Sequence, residues 1–196
     1  SYVEAIRRLS SQSRQLGVSI SRTTDLIPMI WYLLSKYGAI QPEIKGTLFV
    51  SNNLNLAGAQ RSLTNLICHP DFTHETFLCL VGESFENPHF ARLEKSNIPV
   101  FTLFPEKDIL KRVELFLELL SQIKTQLICF WNVEPRFKLL VSKILAAAPI
   151  KIIDVSPGSM YFDEIETTIE FQRRIAWDID QYFSRVNHFV AKYKDG

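Results

Sequence analysis

Residues 46–68 read GTLFVSNNLNLAGAQRSLTNLIC, and this stretch decides the fold. The uninterrupted apolar run from Leu48 to Val50 predicts a buried strand over residues 47–51. A polar loop follows, and after Gly58 the apolar side chains recur at helical spacing, which predicts a helix over residues 59–68. A buried strand, a short loop and an amphipathic helix form the repeating unit of α/β proteins.

The same alternation continues along the chain. Short apolar runs predict further strands over residues 76–81, 100–104, 126–131, 151–155 and 188–191, and helices are predicted over residues 90–95, 107–123, 135–147 and 161–184. The strands lack an alternation of polar and apolar residues, as expected when helices cover both faces of a parallel sheet. The sequence therefore predicts a doubly wound, Rossmann-like α/β domain over residues 46–196.

A helical segment is expected to precede this domain, over residues 1–45. Asp25 is a favourable N-cap for a helix whose apolar residues run to Leu34, and Gly38 is expected to end it. Trp31 and Tyr32 on this helix belong either to the core of the domain or to a membrane interface. The core is preferred, because a helix with one apolar stripe normally buries it within its own domain.

Composition excludes several classes of partner. The chain has 196 residues, with 22 Lys and Arg against 21 Asp and Glu, so nucleic acid is not expected to bind. No apolar run approaches the roughly 20 residues that a transmembrane helix needs. The cysteines and histidines do not have the spacing of metal ligands, so neither a metal nor a cofactor is expected. Cys68, Cys79 and Cys129 are predicted to be reduced core residues of a cytosolic protein.

Ligands of doubly wound sheets bind at the carboxyl ends of the strands. This rule selects the predicted loops at residues 52–61, 131–136 and 154–161. In the first loop, Gly58 allows the backbone to approach a phosphate at the start of a helix, although a tight turn without a ligand explains the glycine slightly better.

The loop after the fourth strand offers three polar or aromatic candidates. Asn132 can bind a sugar hydroxyl, and Trp131 can stack on a sugar ring. Capping of the next helix by Asn132 and burial of Trp131 are the preferred interpretations, because asparagine is a favoured cap residue. Glu134 is a further candidate carboxylate.

The run AGAQRSLTNL at residues 57–66 resembles a signature of family 4 glycosyltransferases. In that family the first strand ends in a loop with Gly-Gly-Ala-Glu or Gly-Gly-Ala-Gln, followed by arginine and a leucine-rich helix. Alanine stands here in place of the first glycine. The resemblance covers residues 46–193 and implies the N-terminal domain of a GT-B fold. It also implies that five residues lie near the donor diphosphate and the acceptor: Ala57, Gly58, Ala59, Gln60 and Arg61.

The loop after the fifth strand carries the expected catalytic residues. Many family members have a histidine that contacts the transferred sugar at the position where this chain has Ser156. A serine can form a neutral hydrogen bond there but cannot carry the charge of an imidazole. Asp154 is either a site carboxylate or a polar residue that caps the Ser-Pro-Gly turn. Gly158, in that turn, is assigned with Asn132 to donor or acceptor binding.

The resemblance implies a retaining glycosyltransferase whose acceptor-side domain is this chain. Such an enzyme moves a sugar from a nucleotide-sugar donor to a glycan or other acceptor without a metal, and a C-terminal domain makes most donor contacts. The chain opens on Ser1 and ends on Gly196, so we expect a piece of a longer enzyme, inactive alone. A role in polysaccharide biosynthesis in the cytoplasm is expected, with peripheral attachment at the inner membrane surface as a further option.

A non-catalytic interaction module, derived from a glycosyltransferase domain in a polysaccharide-assembly protein, is the alternative. Ala57 and Ser156 favour it, because the family usually has glycine and histidine at these positions. A dinucleotide-binding oxidoreductase ranks third, because the first loop lacks the three-glycine fingerprint of such enzymes.

Overall fold

The computed structural model describes residues 26–84, 87–156 and 167–191 and contains a six-stranded, all-parallel sheet. This sheet and its helices confirm the predicted doubly wound α/β fold. In chain order the elements are α1 (Leu26–Tyr37), β1 (Ile44–Ser51), α2 (Gly58–Ile67), β2 (Glu75–Leu80), α3 (Pro88–Lys95), β3 (Val100–Thr102), α4 (Ile109–Ile123), β4 (Thr125–Trp131), α5 (Pro135–Ile144), β5 (Lys151–Ser156), α6 (Ile169–Ile175), α7 (Ile179–Arg185) and β6 (His188–Ala191). Residues 1–25 of the expected N-terminal segment lie outside the described residues.

The strand order across the sheet is β3-β2-β1-β4-β5-β6. The chain moves outward from β1 to β3, then returns to the middle and continues outward on the other side. The order therefore reverses between β1 and β4. At such a reversal the loops that leave the two strands usually form a crevice in which ligands bind. Because all strands are parallel, their carboxyl ends lie along one edge of the sheet.

Two apolar layers cover the faces of the sheet. Leu48 and Val50 of β1 belong to the larger core, beneath α1, α4, α5, α6 and α7. Phe49, between them in sequence, belongs to the smaller core beneath α2 and α3. Successive side chains of a strand point to opposite faces, so an unbroken apolar run is what a sheet covered on both sides requires.

Helix α1 packs into the larger core through Met29, Ile30, Leu33 and Tyr37. Tyr32 is partly buried against the same core, but the side chain of Trp31 is 67% exposed. The preferred placement of Trp31 in the core is therefore wrong. The buried residues recur every three or four positions and define one face of the helix, and Trp31 lies on the other side of it.

The helical region near the end of the chain is interrupted. Helix α6 ends at Ala176, whose backbone is left-handed with a φ of 48°, and α7 begins after Asp178. Asp178 and Gln181 cap α7 reciprocally: each side chain accepts a hydrogen bond from the backbone N–H of the other residue. The sequence predicts that residues 161–184 are mostly helical. The Asp-x-x-Gln spacing is the signal that starts the last helix of this region.

The three cysteines are free thiols, as predicted. Cys79 and Cys129 are buried in the sheet, and burial raises the pKa of both thiols to about 12. Cys68, at the end of α2, is half-buried. Within the described ranges, every helix is too short or too polar to cross a bilayer.

Candidate functional site

The loop between β1 and α2 is held by hydrogen bonds to two neighbouring loops at the carboxyl edge of the sheet. The side-chain Oδ1 of Asn52 accepts a hydrogen bond of 3.0 Å from the backbone N–H of Glu134, in the loop between β4 and α5. The carbonyl oxygen of Asn52 accepts one of 2.7 Å from Gly82, just after β2. Asn52 thus joins three loops around the crevice, a role that its local sequence does not predict.

Further bonds brace the same loop on both sides. The backbone N–H of Leu54 donates to Oγ of Ser84 at 2.9 Å, and Nδ2 of Asn87 donates to the carbonyl of Leu54 at 2.9 Å. Across the crevice, Nε1 of Trp131 donates to the carbonyl of Ala59 at 2.9 Å. The loop that carries the family-like run is therefore a fixed part of the scaffold.

Gly82 is required for this packing of loops. A Cβ atom added at Gly82 would lie 2.7 Å from the carbonyl oxygen of Asn52, which is backbone and cannot move aside as a side chain would. We expect Gly82→Ala to lower the free energy of unfolding by about 1–3 kcal/mol, the range for overpacking. Urea denaturation measures this loss. Gly58→Ala is the matched control, because a Cβ atom there would meet nothing within 4 Å, and equal losses in the two variants would refute the explanation.

The helix starts that face the crevice lack a side-chain cap. Helix α2 follows Ala57, which has no side-chain acceptor, and Glu134 before α5 makes no capping hydrogen bond. By contrast, Asn87 and Asp108 cap α3 and α4 through their side-chain oxygens. An uncapped helix start presents backbone N–H groups and a partial positive charge, which suits a phosphate or another anion.

Gly58, Gln60 and Arg61 occupy the first turn of α2. Gly58 and Arg61 are exposed, whereas Gln60 is only 3% exposed. Nε2 of Gln60 donates to Oδ1 of Asn53 at 3.2 Å, and its Oε1 is buried without a hydrogen-bond donor among the described residues. Buried polar atoms are usually paired, so this unpaired oxygen is unusual.

Asn132 lies at the mouth of the crevice, exposed, with a left-handed φ of 55°. The N-cap of α5 is Glu134, so the expectation that Asn132 caps this helix is wrong. Asparagine tolerates the left-handed backbone, which explains the residue type at this sharp turn. Glu134 accepts a 2.9 Å hydrogen bond from Nη2 of Arg112 in α4, so its carboxylate is paired.

Asp154 lies in the core, on the face of β5 that α5 and α7 cover. Its side chain is fully enclosed, Oδ2 lies 3.2 Å from Nζ of Lys138, and the hydroxyl of Tyr182 donates to the same oxygen. Lys138 is 1% exposed and Tyr182 is 0% exposed. This buried Lys–Asp–Tyr cluster argues against direct contact between Asp154 and a substrate.

The two other predicted residues of this region lie at the limit of the described chain. The backbone of Ser156 ends β5 and pairs with Ala191 of β6, at the carboxyl edge of the sheet. Its side chain and Gly158 lie outside the described residues. In the described ranges, no group of three or more His, Cys, Asp or Glu residues could hold a metal ion.

No protein-family model and no curated protein matches this chain. The resemblance in residues 57–66 therefore stays a prediction.

Proposed function

We propose that this chain is the acceptor-side domain of a retaining glycosyltransferase and that its crevice at the strand reversal binds the reacting groups. The observation that carries the proposal is the open start of α2, where Gly58 is exposed and has free space beside it. A glycine at this point leaves room for a ligand to reach the backbone N–H groups of the first turn. The run AGAQR at residues 57–61, which resembles the family signature, occupies the same turn.

In this proposal the first turn of α2 lies against the diphosphate of a nucleotide sugar. The partial positive charge of the helix start stabilises the negative charge that develops on the leaving diphosphate. The exposed Asn132, on the other side of the crevice, has both an amide donor and a carbonyl acceptor for acceptor hydroxyl groups. A second domain would hold the base and the sugar of the donor.

The test is sugar transfer by the protein that contains this chain together with a donor-binding domain. We expect Gly58→Val to lower kcat/KM on the order of 100-fold, because a branched side chain would displace the donor from the helix start, and such displacements cost about that much. A Cβ atom at Gly58 meets no protein atom within 4 Å, so the variant should melt at the wild-type temperature. Gly58→Ala, with only one added methyl group, should retain more activity.

A folded Gly58→Val enzyme with full activity would remove the α2 start from the site. Absence of transfer by the wild type, with a panel of nucleotide sugars and acceptors, would favour the non-catalytic interaction module instead. The burial of Asp154 against Lys138 favours the non-catalytic module, because a predicted catalytic carboxylate does not contact solvent.

A further inference from the structure

Helix α1 has a second apolar side, which the described part of the chain leaves exposed. Ile27 is 51% exposed and Trp31 is 67% exposed, and Leu34 is only partly buried. The spacing i, i+4, i+7 places these three side chains in one stripe along the helix, beside the face that packs into the larger core. A continuous apolar stripe, unlike a single exposed residue, indicates a surface that another element covers.

The exposed stripe is turned away from α4. The hydroxyl of Tyr32 donates to Oε1 of Glu114 at 3.4 Å, and Nζ of Lys36 lies 3.2 Å from Oε2 of Glu118, so α4 packs against the side of α1 that carries Tyr32 and Lys36. These two residues lie on a different side of the helix from the stripe. A further helix can therefore pack on the stripe without displacing α4.

The chain itself contains a matching stripe. Residues 1–25 lie outside the described residues and join α1 directly at Leu26. Arginine, glutamine and serine occupy most of the polar positions in residues 2–16, which predicts an amphipathic helix. Its large apolar side chains begin with the same i, i+4, i+7 spacing and continue one heptad later: Tyr2, Ile6, Leu9 and Leu16.

Length and connection favour this segment over a separate partner. At about 1.5 Å per residue, a helix over residues 2–16 would be about 22 Å long, close to the length of about 18 Å for α1. Residues 17–25 include Gly17 and are long enough to reverse the chain between two packed helices. Tethering gives the segment an effective concentration on the order of millimolar at the stripe, which a partner in solution rarely reaches.

We propose that residues 2–16 form a helix that packs antiparallel to α1 on the stripe of Ile27, Trp31 and Leu34, with Leu9 against Trp31. Helix α1 then lies between the larger core and the N-terminal segment. The tryptophan ring contributes most of the apolar area that this contact removes from water. The inference concerns the scaffold and does not depend on transferase activity.

Trp31 reports on this contact in the whole chain. With 5-fluorotryptophan incorporated, the three tryptophans give three fluorine NMR signals, and Trp31→Phe identifies the signal of Trp31. A soluble gadolinium chelate broadens the signals of rings that contact solvent. We expect Trp31 to broaden no more than Trp177, whose Nε1 donates to Oγ of Ser142 in the fold. Leu9→Asp should lower the docking equilibrium constant by about tenfold or more, the factor for losing a buried leucine, and so expose Trp31.

Ser11→Asp is the matched control, because it adds the same charge on the opposite side of the predicted helix. This variant should protect Trp31 like the wild type, and an unchanged Trp177 signal shows that each variant is folded. The proposal is overturned if Trp31 broadens as strongly in the wild type as in Leu9→Asp, or if Ser11→Asp exposes it equally. Protection that disappears on dilution would indicate a second copy, and protection that requires phosphatidylglycerol vesicles would indicate a membrane, so either result also overturns it.

Discussion

Replacing Asp154 with alanine is expected to lower the free energy of unfolding by about 3–5 kcal/mol, the usual loss when one partner of a buried ion pair is removed. The variant leaves the ammonium group of Lys138, which is 1% exposed, in the core without its carboxylate. It also removes the oxygen that accepts the hydrogen bond of Tyr182. Urea denaturation at pH 7 measures the loss.

Two comparisons make this experiment decisive. Asp71→Ala removes a carboxylate whose side chain is 90% exposed, so its effect should be within about 0.5 kcal/mol of zero. The apolar triple variant Lys138→Met, Asp154→Leu, Tyr182→Phe should be more stable than Asp154→Ala, because no charge is left buried. If Asp154→Ala loses no more stability than Asp71→Ala, the buried Lys–Asp–Tyr cluster does not stabilise the fold.

Phe116→Ala is expected to lower the free energy of unfolding by about 3–5 kcal/mol, as large-to-small changes of core aromatic residues do. Phe116 of α4 is 0% exposed and packs edge-on against Phe137 of α5, with ring centroids 5.4 Å apart. The substitution would leave a cavity where α4 and α5 pack together over the centre of the sheet. Chemical denaturation with an unchanged m-value would show that only stability was altered.

Leu115 precedes Phe116 on the same helix, is 38% exposed and therefore provides the control. Leu115→Ala should have a much smaller effect, because its side chain already contacts water in the folded state. A loss for Phe116→Ala as small as that for Leu115→Ala would mean that the core closes around the deletion.

The fold could be predicted because each strand is marked by an apolar run in its own local sequence. Leu48, Phe49 and Val50 are buried on alternate faces, so their unbroken apolar run indicates a strand covered by helices without any knowledge of the neighbours. The exact start of β1 was harder to predict. The strand begins at Ile44, three residues earlier than predicted. The N–H groups of Glu43 and Ile44 bond to the carbonyl of Lys124, a distant residue that no local pattern reveals.

The loops of the candidate site could be selected from the sequence, but the contacts between them could not. The strand rule selected the loops after β1 and β4, and Asn52 does join them. The partners of Asn52, Gly82 and Glu134, lie roughly thirty and eighty residues away in sequence, so only the folded chain shows the connection. A lone aspartate in a buried strand does signal a buried partner. The sequence did not reveal that for Asp154 this partner is Lys138 of α5.

The pairing of β1 with β4 also determines how the chain folds. Ile44 pairs with Thr125 and Ser51 with Trp131, so the middle of the sheet joins positions roughly eighty residues apart. The chain loses conformational entropy when it closes that long loop, before the central contacts can stabilise it. Proteins whose contacts join distant parts of the sequence fold slowly. During synthesis, β1 emerges with one edge unpaired until β4 leaves the ribosome, and an unpaired apolar edge invites aggregation. The nascent chain is therefore expected to aggregate more readily than the folded protein.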